Sequence, residues 1–220
     1  MKKARNNLCN KILLLAVSCF FVCQSTQSFA DISVQDKNKA TTTDVDPHAH
    51  HKAMMKNKAS FKLSTQKYNI PKLTLLDKMG IKTATDKIFN GEKTVVVNFI
   101  FTTCNTICPV MSGTFSQLDK HLAKTGKDVE LISISIDPEF DTPKVLQNYG
   151  KKFNSSDQWS FYTGSRDDII TLQTAFNAYR GSKMNHVPIT LLRSASSEEW
   201  TRIDGFASSK QLMSEIDIKE

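Results

Sequence analysis

Thr94-Val95-Val96-Val97-Asn98-Phe99-Ile100-Phe101-Thr102-Thr103-Cys104-Asn105-Thr106-Ile107-Cys108-Pro109 is an apolar run that ends in two cysteines and a proline. Thr94 to Phe101 reads as a strand buried on both faces. Beyond the proline, Val110, Met111, Thr114, Phe115, Leu118 and Leu122 recur at helical spacing. Strand, loop and helix therefore follow one another without spare residues, and the thiols fall at the junction. A residue before proline is biased away from the helical region. The spacing thus predicts Cys108 at the N-cap or just outside it, with Pro109 at the first helical position. Both sulfurs would then face free N–H groups at the positive end of a helix, which favours thiolate. A thiolate is both the nucleophile of disulfide exchange and a soft ligand for copper, so either chemistry is open. A purely structural bridge is the weaker reading, because closing so short a loop constrains little of the unfolded chain.

Downstream, Val129 to Ile136 is the next strand, ending at Asp137-Pro138, and Pro143 opens a helix to about Phe153. Trp159 to Tyr162 is a short strand. Arg166 to Tyr179 is a helix whose apolar side is Ile169, Ile170, Leu172, Ala175 and Phe176. Pro188 to Leu192 and Trp200 to Ile203 are strands, and Ser208 to Ile216 is a closing helix. Upstream lies a short hairpin with its turn at Asp77-Lys78-Met79-Gly80. This alternation implies an α/β fold, with a partly parallel sheet covered by helices on both faces. Such a sheet displays its chemistry at strand ends.

The remaining residues set compartment and organisation. Lys2, Lys3 and Arg5 form a basic n-region, Ile12 to Val22 an apolar h-region, and Ser28-Phe29-Ala30 a cleavage site, so residues 1–30 are expected to be a signal peptide. Cys23 raises a lipid-modified N-terminus as the alternative, although Val22 before it is large for such a site. Cleavage removes Cys9, Cys19 and Cys23 and leaves Cys104 and Cys108. The chain's net charge of +7 includes four basic residues of that segment, so the rest carries 25 basic against 22 acidic side chains. That balance is ordinary, and no basic stripe with interleaved aromatics points to nucleic acid. Residues 31–60 are polar, with too little apolar surface to offset ordering entropy, and are expected to be a flexible leader. Within it His48, His50, His51, Met54 and Met55 form a cluster suited to weak copper binding. Residues 61–220 make one domain of ordinary size. His121, on the predicted helix with no motif around it, reads as a surface or packing residue.

The order of motifs is recognisable. Phe101-Thr102-x-Cys104-x-x-x-Cys108-Pro109 is followed by Asp137-Pro138-x-x-Asp141-Thr142-Pro143, by Trp159-x-Phe161-x-Thr163-Gly164, and by a lone His186 before the last core strand. From about Tyr68 to Ile216 the chain resembles the SCO/SenC family. The resemblance implies a thioredoxin-like fold and copper, Cu(I) or Cu(II), held by Cys104, Cys108 and His186. It also implies either a metallochaperone that assists assembly of a cytochrome oxidase copper centre or a thiol-disulfide oxidoreductase. In both, Cys104 and Cys108 are the redox-active pair. The implied partner is a copper-receiving membrane oxidase subunit or another copper or thiol client. The implied location is the bacterial periplasm or the outer face of the inner membrane, with membrane contact only through the client or an uncleaved signal.

Physically, two thiolates and an imidazole offer a soft, low-coordinate site for copper, and no fourth ligand of the kind that closes structural zinc sites is evident. The three-residue spacer and the matched histidine favour the chaperone. Pro188, where thioredoxins place a proline facing their thiols, favours the reductase. A peroxidase of this fold lacks support, since no arginine lies near the pair in sequence. One departure stands out: family members often carry Asp before the histidine, whereas Asn185 stands here.

Overall fold

The structure is a computed structural model and describes residues 61–219. Eight strands form one mixed sheet: β1 (Lys62–Lys67), β2 (Thr74–Asp77), β3 (Lys82–Ala84), β4 (Thr94–Ile100), β5 (Val129–Ser135), β6 (Trp159–Gly164), β7 (Ile189–Arg193) and β8 (Glu199–Asp204). Their order across the sheet is β1-β8-β7-β4-β5-β6-β2-β3. The pairs β4–β5 and β5–β6 are parallel, and the other pairs are antiparallel. The helices are α1 (Thr85–Ile88), α2 (Ile107–Thr125), α3 (Pro143–Lys152), α4 (Arg166–Ala175) and α5 (Ser209–Lys219), with a 3-10 turn at Lys183–Asn185.

Strand β4 is buried along its whole length, and its alternation divides the core. Val96 and Ile100 pack on one face with Phe115, Leu118 and Leu122 of α2, Leu146 of α3, and Leu212 and Ile216 of α5. Val95, Val97 and Phe99 pack on the other with Ile88 of α1, Ile169 and Leu172 of α4, and Phe176 and Trp200. Side chains along a strand point to opposite faces in turn, so a central strand needs apolar residues at nearly every position to be covered twice.

Most helix ends have local causes. The Thr142 hydroxyl accepts the Val145 N–H, with Pro143 at the first helical position of α3. Ser165 caps α4 by accepting from Asp168 N. Gly126, at φ 67°, ends α2 in the left-handed conformation that costs glycine least. The hairpin β2–β3 turns as expected, with Gly80 N–H donating to Asp77 O at 2.9 Å.

Three features differ from the sequence reading. Strand β1 pairs antiparallel with β8 at the sheet edge; its segment is polar and mostly exposed, so it carries no hydrophobic period to read. Helix α4 stops at Ala175 rather than Tyr179, because Asn177 adopts φ 50° and the Ala178 N–H turns back to Gln173 O. Helix α2 begins at Ile107 with Thr106 at the N-cap, so Cys108 lies inside the first turn. Proline at the third helical position is accommodated there because the first-turn N–H groups have no helical acceptor.

Register places the site. Thr94↔Val129 through Ile100↔Ser135 pair in step, so β4 and β5 end together. Asn98↔Thr190 then sets the start of β7 beside that same end. The cysteine loop, the Asp137–Asp141 loop and the segment carrying His186 therefore meet at the carboxyl ends of the parallel strands, where open α/β sheets bind ligands.

Candidate copper and thiol site

Cys104 is half-buried in the loop after β4, with its N–H donating to Phe101 O at 3.1 Å. Cys108 is fully buried in the first turn of α2. Both thiols are free. The N–H of Cys108 donates to Cys104 Sγ at 3.5 Å, and the Thr106 hydroxyl lies 3.5 Å from the same sulfur. Burial pushes the Cys104 thiol up. The N–H groups of Cys108 and Thr106 and the Thr106 hydroxyl outweigh it and bring the thiol down to about 7. Cys108 goes the other way. Burial, helped by the neighbouring sulfur and Asp141, pushes it up to about 12. The expectation that the helix N-terminus would activate both sulfurs is thus corrected: a cysteine inside the turn is buried under the helix, and the one before it receives the N–H.

His186 follows the 3-10 turn, its N–H donating to Lys183 O at 3.2 Å. Its Nδ1 lies 3.8 Å from Cys108 Sγ, and its ring stands edge-on to Phe101 at 6.2 Å. Burial lowers its pKa to about 4, so the imidazole is neutral and has a lone pair to offer. Its Nε2 is buried without a hydrogen-bond partner. Asn185 beside it sends its side-chain amide to Arg180 O at 3.2 Å, and among the described residues no carboxylate hydrogen-bonds to the ring in the way that commonly supports a metal-binding histidine.

One ion bound to both a thiolate and an imidazole holds sulfur and nitrogen roughly 3.5–3.8 Å apart at angles between tetrahedral and trigonal. The Cys108–His186 separation of 3.8 Å fits that span. Cys104 does not complete the set in this arrangement: among the described residues no three His, Cys, Asp or Glu side chains converge at metal-binding distance. The Cys104 sulfur is instead turned to the helix N–H, held by two long contacts. Beside the thiol loop a cleft of about 300 Å³ is lined by Cys104, Thr106, Lys183, Met184 and His186.

The second motif has a role that the sequence reading left unassigned. Asp141 is fully buried and accepts from Thr102 N at 3.1 Å, Thr102 Oγ1 at 2.5 Å and Ser135 Oγ at 2.6 Å. It ties the ends of β4 and β5 together just before the cysteine loop; burial raises its pKa, against the pull of these donors. Asp137 pairs with Lys183 at 2.5 Å, and Lys183 lies over the Phe101 ring. That pair anchors the turn that carries His186. The signal was available in Asp137-Pro138-x-x-Asp141, where two acids stand four residues apart directly after a strand end. His121 is exposed, as expected. His48, His50, His51, Met54 and Met55, the leader and the signal segment lie outside the described residues. Among the described residues no helix is long and apolar enough to cross a membrane.

The mixed sheet with helices on both faces is a thioredoxin-like fold, and it brings a thiol and an imidazole together at the carboxyl ends of its parallel strands. The chain belongs to the SCO1/SenC family, whose profile matches residues 61–217. An SCO1 protein homolog of Bacillus subtilis (strain 168) is 44% identical over 70 residues, covering 31% of this chain and 36% of that protein. The mitochondrial SCO1 homolog of Homo sapiens is 32% identical over 97 residues, covering 43% and 31%. The chain thus spans about a third of the length of these relatives. Among solved structures, a SCO1/SenC family lipoprotein from Bacillus anthracis str. Ames superposes with TM-score 0.62 at 21% identity, over 71% of this chain and 97% of that one. BsSco, a member of the Sco family of cytochrome c oxidase assembly proteins with a disulfide switch, gives 0.60 at 24% identity, over 71% and 95%. Yeast Sco1 with copper bound gives 0.57 at 19% identity, over 69% and 92%. These likenesses show the fold.

Proposed function

We propose that this chain is an exported copper carrier that holds the ion through Cys104, Cys108 and His186 and passes it to a cytochrome oxidase subunit or another copper client. The observation that carries the reading is the 3.8 Å separation of Cys108 Sγ and His186 Nδ1, a span one soft ion fills. The neutral imidazole needs no deprotonation to bind. A coordinated thiol gives up its proton outright, so the high pKa of Cys108 falls away once metal is present. Cys104 would exchange two long contacts for the ion. Family membership and the copper-bound yeast relative support the cargo. The oxidase as client comes from the assembly role of the BsSco relative, and export from the signal-like first 30 residues together with the lipoprotein relative.

Anaerobic Cu(I) titration of the reduced protein, wild type against His186→Ala, tests the ligand set. Tight one-to-one binding that weakens with the substitution is expected. Binding indifferent to His186 would remove the histidine from the site.

A second reading, thiol-disulfide reductase, is favoured by the contrast between the thiols. Cys104, half-exposed and brought to about 7, is suited to attack a partner disulfide. The partner's second sulfur leaves as thiolate, Cys108 then displaces the first, and two electrons pass to the partner as Cys104–Cys108 closes. Cys108, held near 12 by burial, is a poor resolving thiolate in this resting arrangement. That places the copper reading first.

A further inference from the structure

We propose that Met184 is the mouth ligand of this site: its thioether receives Cu(I) at the surface and hands it inward to Cys104 and His186. The inference rests on the copper reading above and names a residue that reading does not use. Met184 is 77% exposed, the most exposed large apolar side chain among the described residues. It lines the same cleft as Cys104 and His186, two positions before the histidine. Its backbone is fixed on both sides. The Met184 N–H donates to Ser182 Oγ at 3.2 Å, the His186 N–H to Lys183 O, and Lys183 is tied to Asp137. A flexible, three-torsion side chain therefore swings from an anchored turn at the rim of a cleft whose walls carry a thiol and an imidazole.

Thioethers select Cu(I) and bear no proton at any working pH, so they bind it without competition from protons. The inner thiols are less accessible: Cys108 is fully buried and Cys104 is engaged by the helix N–H. An ion arriving from solvent or from a donor meets the exposed sulfur first. The transfer is ligand exchange with no change of oxidation state. A copper–thioether bond breaks as a copper–thiolate bond forms, and a Cys104 thiol that is still protonated releases its proton to water.

A ligand used only in passage lowers the barrier in both directions. Since the bound and free end states are untouched, loading and unloading must change by the same factor. The full chain should therefore be compared with Met184→Leu, which keeps the volume and removes the donor, by stopped-flow transfer of Cu(I) from, and back to, a chromophoric Cu(I) chelator under anaerobic conditions. The expected result is a several-fold slowing of both rates with unchanged final affinity and unchanged melting temperature. Two outcomes overturn the proposal: neither rate changes, or affinity falls while loading stays fast, which would make Met184 a resident ligand. Wild type that takes up no Cu(I) at all would overturn the copper reading itself, and this inference with it.

A static measurement closes the remaining gap. In a Cys104→Ser, Cys108→Ser double variant, where the ion lacks its inner thiolates, Ag(I) serves as a closed-shell probe for Cu(I). The ε-methyl resonance of Met184, identified by its loss on adding Met184→Leu, is expected to shift on titration. An unmoved resonance counts against the assignment.

Discussion

The two faces of the sheet are built differently. On the face away from the thiols, Phe176 is fully buried and meets Tyr68, Phe89, Phe99 and Trp200 edge-on at 5.2–6.0 Å, with the buried Arg193 guanidinium over Trp200. Arg202 beside it donates to Asp204, to the Tyr68 hydroxyl and to the carbonyls of Phe176 and Asn177. On the face under α2, polar groups are threaded into the core. Asn98 accepts from Ser133, which accepts from Trp159 Nε1; Ser112 meets the Tyr149 hydroxyl at 2.8 Å; Asp141 holds Thr102 and Ser135. Apolar packing is non-directional and stabilises without specifying angles. Buried hydrogen bonds contribute less net energy, but their direction fixes where a loop sits. The first face supplies stability, and the second places the thiols.

That contrast is most exposed to a cavity on the aromatic face. Phe176→Ala is expected to cost about 3–5 kcal/mol in urea unfolding while leaving the alkylation rate of Cys104 in the folded protein unchanged. A changed Cys104 rate would mean the faces are not separable. Asp141→Ala should cost about 2–4 kcal/mol, since the fully buried Ser135 hydroxyl is left unpaired at about 1–3 while the half-buried Thr102 donors regain part of theirs from water. Unlike the first variant, it should also alter Cys104 reactivity and copper affinity; a purely energetic effect would reduce Asp141 to filler.

Acid offers a third way to divide the faces. The unfolded imidazole takes a proton near 6.5 and the folded His186 only near 4. Between those values the unfolded state holds the extra proton, so stability falls as pH drops through that window. The loss due to His186 at pH 5 is expected to be about 1–2 kcal/mol after discounting for partial exposure. His186→Gln should flatten that part of the profile, and an unaltered slope would contradict the buried neutral ring. Tyr149→Phe, which removes the bond to Ser112, should cost about 1 kcal/mol. Cys104→Ser stands last: its sulfur makes only long contacts, so the melting temperature of the reduced protein should barely move. A large drop would show that the thiol loop holds the fold together.

Much of this was legible in order along the chain. The run from Thr94 to Phe101 is apolar at almost every step, which only a strand covered on both faces tolerates, and the helical spacing after Pro109 leaves one place for the thiols. The motif order carried His186 and the fold with it. Strand β1 was not legible, because an exposed edge strand is held by the β8 backbone rather than by an apolar pattern of its own. The brace at Asp141 was visible as a motif but not as a function, since its donors, Thr102 and Ser135, come from two strands that only the sheet brings together.

The sequence by itself determined that two cysteines stand at the carboxyl end of a central strand, because period and spacing are local properties. The contrast between the two thiols was decided only in three dimensions. Cys104 and Cys108 are the same residue four positions apart, and both lie near one helix terminus. One sulfur accepts an N–H at the surface while the other is sealed beneath α2, and burial is a sum over neighbours from the whole chain. The same is true of the 3.8 Å approach of Cys108 to His186, which joins residues 78 positions apart through the register of β7 on β4.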